Sequence, residues 1–168
     1  MNDENRRAVV VGGRSGIGLA TVRALEADGV AVTVVSRRDG LDATDPAVAE
    51  RILREARPSY LVLSAGVPPR MARLDEQTWE SFSEVWNHDV KATFHFVQAA
   101  LKLPLPPGAS VVIVSSGAAL EGSPLSGGYA GAKRMQWTVE KVATAIVAAL
   151  KGQTAPAIAV TGTKVEAV

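Results

Sequence analysis

Apolar residues along this chain fall into two kinds of run that alternate. Residues 8–11, 30–35, 60–63 and 111–114 are short, nearly unbroken apolar stretches, rich in β-branched side chains. Such runs read as strands buried on both faces of a parallel sheet. Between them the apolar residues return at helical spacing. Ile17, Thr21, Ala24 and Leu25 predict a helix over about 16–28, stopped at Gly29. Asp45 followed by Pro46 is an N-cap with proline at the first helical position, and Val48, Ile52 and Ala56 carry that helix to about residue 56. Thr78 caps one long helix to about residue 102, whose stripe is Phe82, Trp86, Val90, Phe94, Val97 and Leu101. Pro104, Pro106, Pro107 and Gly108 end it. The stripe is read as core or subunit interface. The stretch between residue 35 and Asp45 leaves no room for a helix, so a third strand there must be brief. Strand and helix in alternation predict an α/β domain: a doubly wound parallel sheet, Rossmann-like, in three αβα layers.

Composition adds mainly exclusions. The 168 residues suit a single domain over 1–168, with 47% hydrophobic and 21% charged residues. A net charge of +1 and no basic stripe argue against nucleic acid. No apolar run reaches the ~20 residues a membrane span needs. Residues 1–7 are a polar lead-in without a signal-peptide core, so the expected location is cytoplasmic. With no Cys, disulfides and thiolate metal sites are excluded. His88 and His95 are the only two histidines; they are read as structural and no metal site is expected.

The candidate chemistry begins where the first strand ends. Gly12, Gly16 and Gly18 form a G-x-x-x-G-x-G turn leading into a helix. Glycines there permit turns closed to other residues and let backbone N–H groups approach a pyrophosphate, while the helix N-terminus adds partial positive charge. Gly12, Ser15, Gly16, Ile17 and Gly18 are the expected cofactor contacts. The second strand ends in Ser36-Arg37-Arg38, where such a fold meets the adenosine ribose. No acid stands at that tip, two Arg follow, and Arg14 in the glycine turn could reach the same place. An Arg there suits a 2′-phosphate, so the expected cofactor is NADP(H). The alternative is that Arg37 and Arg38 are solvated loop charges. Further on, Tyr129 and Lys133 are four apart and share a helix face. A phenol with a pKa near ~10 is a poor acid–base group at neutral pH, and a neighbouring ammonium moves it toward the working range. Ser116, at the end of the run 111–114, lies thirteen residues earlier.

The glycine spacing, the order Ser116, Tyr129, Lys133 and their separation together resemble the short-chain dehydrogenase/reductase family over most of the chain from Val9 to Lys133. The resemblance implies hydride exchange between NADP(H) and a small ketone, aldehyde or alcohol. It implies Tyr129 as acid/base, Lys133 as the group that tunes it and holds the nicotinamide ribose, and Ser116 as the hydroxyl that orients the carbonyl. Asp42-Ala43-Thr44-Asp45 is similar to the family's D-V-T-D, which implies that Asp42 and the Ala43 amide touch the adenine. Ser64-Ala65-Gly66 stands where the family lines the cofactor with N-N-A-G, with Leu63 and Ser64 in place of the two Asn. Val11 replaces a usual Thr. Asp89 takes the place of the Asn that holds a water in the proton relay; its charge would keep Lys133 protonated yet oppose phenolate at Tyr129, and the net sign is open.

Past Trp137 the resemblance changes. Thr138-Val139-Glu140-Lys141 opens an amphipathic run to about Leu150 that is similar to the family's last helix, and residues 157–162 look like its final strand. A sixth strand, a Pro-Gly motif and a substrate lid are not visible between them. Three accounts fit: a deletion, residues outside the given chain, or one helix from 127 to 150. Family members are commonly homo-oligomers, dimers or tetramers, built on the two helices that here begin near residues 78 and 127. The expected function is an NADP(H)-dependent carbonyl/alcohol oxidoreductase. The competing reading is a cofactor-binding but catalytically impaired domain with a sensor or interaction role.

Overall fold

A computed structural model describes residues 6–139, 158–161 and 164–167. Its centre is a four-stranded parallel sheet of β1 (Arg7–Val11), β2 (Ala31–Val35), β3 (Tyr60–Leu63) and β4 (Ser110–Ile113), in the spatial order β2-β1-β3-β4. The central strands β1 and β3 are buried on both faces because each face has its own core, whereas β4, at the end of the order, leaves Val111 of its expected buried run exposed. Val9, Val11, Val35, Leu61, Leu63 and Ile113 point to one side, against helices α2 (Pro46–Ala56) and α4 (Lys91–Lys102). Their neighbours Val10, Val34, Val62 and Val112 point to the other, against Val22 and Leu25 of α1 (Gly16–Ala27). Strict alternation between two cores is what turns an ordinary strand pattern into the unbroken apolar runs of the sequence. Sheet and flanking helices make the Rossmann-like α/β architecture.

Local signals account for the helix starts. The Asp45 carboxylate accepts the Ala47 N–H at 2.8 Å ahead of Pro46. Thr78 and Ser81 cap each other reciprocally at the start of α3 (Trp79–Val85). A short α5 (Ala118–Glu121) lies within the turn-rich loop after β4, and residues 129–139 form α6.

Three expectations need correction. No third strand lies between β2 and Asp45. The chain folds instead into a 3₁₀ turn, Arg37–Asp39, that leaves through Gly40 at φ 73°, followed by a turn in which Asp42 accepts both the N–H and the hydroxyl of Thr44. Side-chain acceptors capture the backbone donors that a strand would need, so β2 is a sheet edge. Secondly, the long helix is not one α-helix. A π turn, Trp86–Val90, separates α3 from α4, with the Lys91 N–H reaching back to the Trp86 carbonyl. Residues four apart advance by about 40° around an α-helix, so the expected stripe itself winds off the buried face. Beyond the π turn Ala92, Thr93, Phe96, Val97 and Ala99 are buried, whereas Phe94 and Leu101 of the expected stripe are exposed. Thirdly, the strand expected near 157–162 exists as β5 (Ile158–Thr161), but it pairs antiparallel with β6 (Lys164–Ala167). The start of the lead-in (residues 1–5) and the amphipathic run from Glu140 to Leu150 lie outside the described residues.

No helix among the described residues is long and apolar enough to cross a membrane. His95 stands edge-on to Phe94, ring centroids 5.4 Å apart, with both ring nitrogens buried and without a hydrogen-bond partner. Burial holds its pKa below the usual 6.5. The folded chain therefore refuses a proton that the unfolded chain accepts, and stability present above pH 6.5 is lost as the pH falls through that value toward the folded one. Thermal unfolding at pH 7.5 and 5.5 tests this. The midpoint should fall with acid in the wild type, and a His95→Leu variant should lose part of that dependence.

Candidate active site

The C-terminal ends of β1, β3 and β4 converge on one edge of the sheet, the place where open α/β sheets bind ligands. Beyond Val11 the chain turns at Gly12, with φ 87°, and its N–H donates to the Val35 carbonyl at 2.8 Å. A Cβ on Gly12 would lie 2.6 Å from the Ala65 backbone, so this loop packs directly on the end of β3. Gly18 is closed to a side chain for a related reason: a Cβ would drive into the Gly12 carbonyl and stand 2.5 Å from Ser64 Oγ. Ser64 Oγ itself donates to the Val11 carbonyl at 2.9 Å. Three expected cofactor positions, Ser64, Ala65 and Gly66, are thus brought up against the glycine turn or just behind it.

The rim of this turn is open. Gly16 has φ 49° with free space where its Cβ would be, and Arg14, Ser15 and Ile17 are exposed. Ser15 is the N-cap of α1 but its side chain makes no capping bond, and the first turn carries no acid. A helix start with uncapped N–H groups, no competing carboxylate and a glycine approach fits a pyrophosphate.

At the far side of the edge lies a buried ion pair. Lys133 Nζ is 2.8 Å from Asp89 Oδ2, with the two side chains 8% and 1% exposed. The other carboxylate oxygen, Oδ1, accepts the Val67 N–H at 3.0 Å. Gly66 faces the pair: a Cβ there would stand 3.1 Å from Asp89 Oδ2 and 3.7 Å from Lys133 Nζ. The Lys133 ammonium also lies 5.5 Å from the centroid of the Tyr129 ring. Ser115 Oγ donates to the Lys133 carbonyl at 2.9 Å, which ties the end of β4 to α6. That leaves Ser116 as the hydroxyl of the pair not spent on α6; its Oγ accepts the Ala118 N–H at 3.3 Å. Asp89, Tyr129 and Lys133 are therefore brought together, with Ser116 on the strand end fastened to the same helix.

Two residues that the sequence reading did not assign to the site hold this arrangement. Trp86, taken as part of an apolar stripe, donates its indole N–H to the Gly128 carbonyl at 2.9 Å, and its ring packs where Gly128 and Gly131 have no side chains. The signal was the glycine pair 127–128 just before Tyr129, with Gly131 one helical turn from Gly128. Gln136, 1% exposed, donates to Thr93 Oγ1 at 2.8 Å and to the Asp89 carbonyl at 3.2 Å. It links α6 to the π turn and to α4.

At the end of β2, where the adenosine was expected, Ser36 Oγ accepts the Arg38 N–H at 3.2 Å and caps the 3₁₀ turn. Arg37 and Arg38 are exposed on it. Arg14 does reach this place, but it is met there by Asp39. Its Nε lies 2.9 Å from Oδ2, and its Nη2 is 2.6 Å from Oδ1. Their mutual hydrogen bonds raise the Arg14 pKa and lower that of Asp39. The sequence reading found no acid at the strand tip; the turn folds one back. Asp42 is lowered too, chiefly by the Thr44 N–H, while Ala43 packs against the core beneath α2. Among the described residues no group of three or more His, Cys, Asp or Glu is placed to hold a metal ion.

A buried ion pair costs most when only one partner is removed, because the other charge stays behind in low dielectric. Asp89→Ala should therefore destabilise the chain by about 3–5 kcal/mol. Asp89→Leu combined with Lys133→Met should cost clearly less than the two single changes summed. Urea unfolding of the wild type, Asp89→Ala, Asp89→Leu, Lys133→Met and the double variant measures both quantities.

Comparison with known proteins places this geometry in context. The profile of a family described as enoyl-(acyl carrier protein) reductase matches residues 40–149. A short chain dehydrogenase/reductase, AacuD, of Aspergillus aculeatus is 32% identical over 156 residues, covering 79% of this chain and 55% of its own length. A probable oxidoreductase of Streptomyces antibioticus is 36% identical over 148 residues, covering 72% of this chain and 48% of its own. The chain thus spans about half the length of the curated relatives it matches. Among solved structures, a small-chain dehydrogenase in complex with NADPH superposes with a TM-score of 0.78 at 20% identity, over 86% of this chain and 66% of that one. A blue fluorescent protein from a metagenomic library, also in complex with NADPH, gives 0.73 at 27% identity, over 92% and 73%. An NAD+-bound xylitol dehydrogenase gives 0.74 at 20% identity, over 88% and 67%.

Proposed function

The chain belongs to the short-chain dehydrogenase/reductase family, and from that premise we propose that it is an NADP(H)-dependent oxidoreductase interconverting a ketone or aldehyde with its alcohol. The observation that carries this reading is the Tyr129–Lys133–Asp89 cluster, set at the sheet edge beside a glycine turn open to a dinucleotide. The NADPH bound in the solved neighbour at 27% identity supports the cofactor class.

A nicotinamide cofactor, when bound, supplies or accepts the hydride. Gly12, Ser15, Gly16, Ile17 and Gly18 would hold its pyrophosphate, Ser64, Ala65 and Gly66 would line it, and Asp42 with the Ala43 amide would meet the adenine. Arg37 and Arg38 would favour a 2′-phosphate, and Arg14 would join them where its pair with Asp39 opens. The chain's own work is the proton. In reduction the Tyr129 hydroxyl gives its proton to the substrate oxygen as the carbon gains hydride, and in oxidation the phenolate takes that proton from the alcohol. The Lys133 ammonium near the ring opposes the cost of the phenolate charge. Ser116 donates a hydrogen bond to the substrate oxygen and favours the charge that develops there. Asp89 acts as a positioning residue: it fixes the Lys133 amine by direct contact. Substrate identity would be set by segments outside this cluster.

The exposed Phe94 and Leu101 on α4, with Met135 on α6, support a homo-oligomer, a second copy covering these apolar side chains.

Tyr129→Phe tests the proposal. Carbonyl reduction should fall by roughly 10²–10⁴-fold, while NADPH titration, followed by tryptophan fluorescence, should be unchanged. Activity that survives the substitution would sink the assigned role. A wild type that binds NADPH but turns over no carbonyl across a broad screen would favour the catalytically impaired domain.

A further inference from the structure

The pair at the adenosine end has a consequence for cofactor choice. Arg14 sits on the glycine turn and Asp39 on the 3₁₀ turn after β2, so their ion pair bridges the two segments that flank an adenosine ribose in this fold. The carboxylate is paired along one whole edge of the guanidinium, through Nε and Nη2. That edge is the fork with which Arg grips a carboxylate or a phosphate. Asp39 is not free to withdraw its backbone. The Asp39 N–H donates to the Ser36 carbonyl at 2.9 Å, the Gly40 N–H to Arg37 at 3.1 Å and the Leu41 N–H to Ser36 at 3.1 Å. Gly40 at φ 73° completes the reversal.

We propose that Asp39 is a specificity-determining residue that occupies Arg14 and so weakens discrimination in favour of a 2′-phosphorylated dinucleotide. This rests on the cofactor reading above. A 2′-phosphate arriving at this rim meets an arginine whose charge is already matched and a carboxylate of its own sign. To use the Arg14 fork it must break the ion pair. A dinucleotide with a free 2′-hydroxyl pays neither penalty, and its hydroxyl can donate to the carboxylate. Arg37 and Arg38, exposed on the same turn, keep the rim cationic without this contest. The balance between the two nucleotides therefore depends on one carboxylate.

The test is a binding titration, independent of turnover. NADPH and NADH are titrated separately into wild type, Asp39→Asn, Arg14→Gln and the double variant, with tryptophan fluorescence as readout. Asp39→Asn should tighten NADPH by about three- to tenfold, the scale of an exposed charge contact, and leave NADH unchanged or weaker. The gain should shrink when 0.5 M salt screens the surface charges, and it should be largely lost in the Arg14→Gln background. An unchanged NADPH-to-NADH ratio would overturn the proposal. So would weaker NADPH binding, which would mean that Asp39 aims Arg14 at the phosphate. A full gain persisting without Arg14 would also overturn it, since Asp39 would then act by plain charge. Each of these results leaves the cofactor reading standing; only a wild type that binds neither nucleotide removes both.

Discussion

The site depends on one buried ion pair. Lys133 and Asp89 are almost wholly removed from water, and two charges in that position persist only if geometry and hydrogen bonding repay their lost hydration. The surroundings meet that demand. Val67 gives its N–H to the carboxylate, Gly66 leaves the space that a methyl group would take, and Gln136 anchors the Asp89 carbonyl. The π turn belongs to the same solution, since Asp89 lies within it and is buried there. What looks like a departure from the usual residue at position 89 is thus accommodated by several neighbours that point the same way.

The sheet supplies the other constraint. Its central strands are buried on both faces because α1 covers one and α2 and α4 the other, so their C-terminal ends are held in register at a single edge. The glycine turn is pressed against β3 from that edge, and the positions where a side chain would collide are the glycines themselves. Trp86 does for Tyr129 what this packing does for the turn: an indole bonded to Gly128 fixes where α6 begins. Loop, strand end and helix are each located by a contact that tolerates little substitution.

Much of this was legible in the sequence wherever the cause is local. The apolar runs, the glycine turn, the Asp45-Pro46 start and the Thr78 cap are decided by residues within a few positions of one another, and each stands where it was expected. Tyr129 and Lys133 share a face for the same reason. The pairing of Lys133 with Asp89 was foreseen only as an electrostatic influence; the direct contact depends on two helices meeting. The return of Asp39 to Arg14 was invisible because a 3₁₀ turn carries an acid back to a loop that is distant in sequence. The brief third strand was expected from the general scheme of such folds, and the side-chain acceptors of Asp42 and Ser36 outweighed it. The stripe through Phe94 and Leu101 failed on its own spacing: steps of four wind around an α-helix, and Phe94 ends about 120° from Phe82.

That turn also says something about how this segment tolerates change in length. A helix with one wide turn carries a single surplus residue there. Deleting one residue between Trp86 and Val90 would take out that surplus and close the turn to a plain α-helix, so that α4 keeps Phe96 and Val97 on the core; what moves is the stretch around Asp89, and with it the acid that meets Lys133. Elsewhere in a helix such a deletion shifts everything beyond it by about 100°. Here the wide turn absorbs it. The stretch 86–90 is therefore a place where the chain can lose a residue and keep its core, with the cost falling on the ion pair.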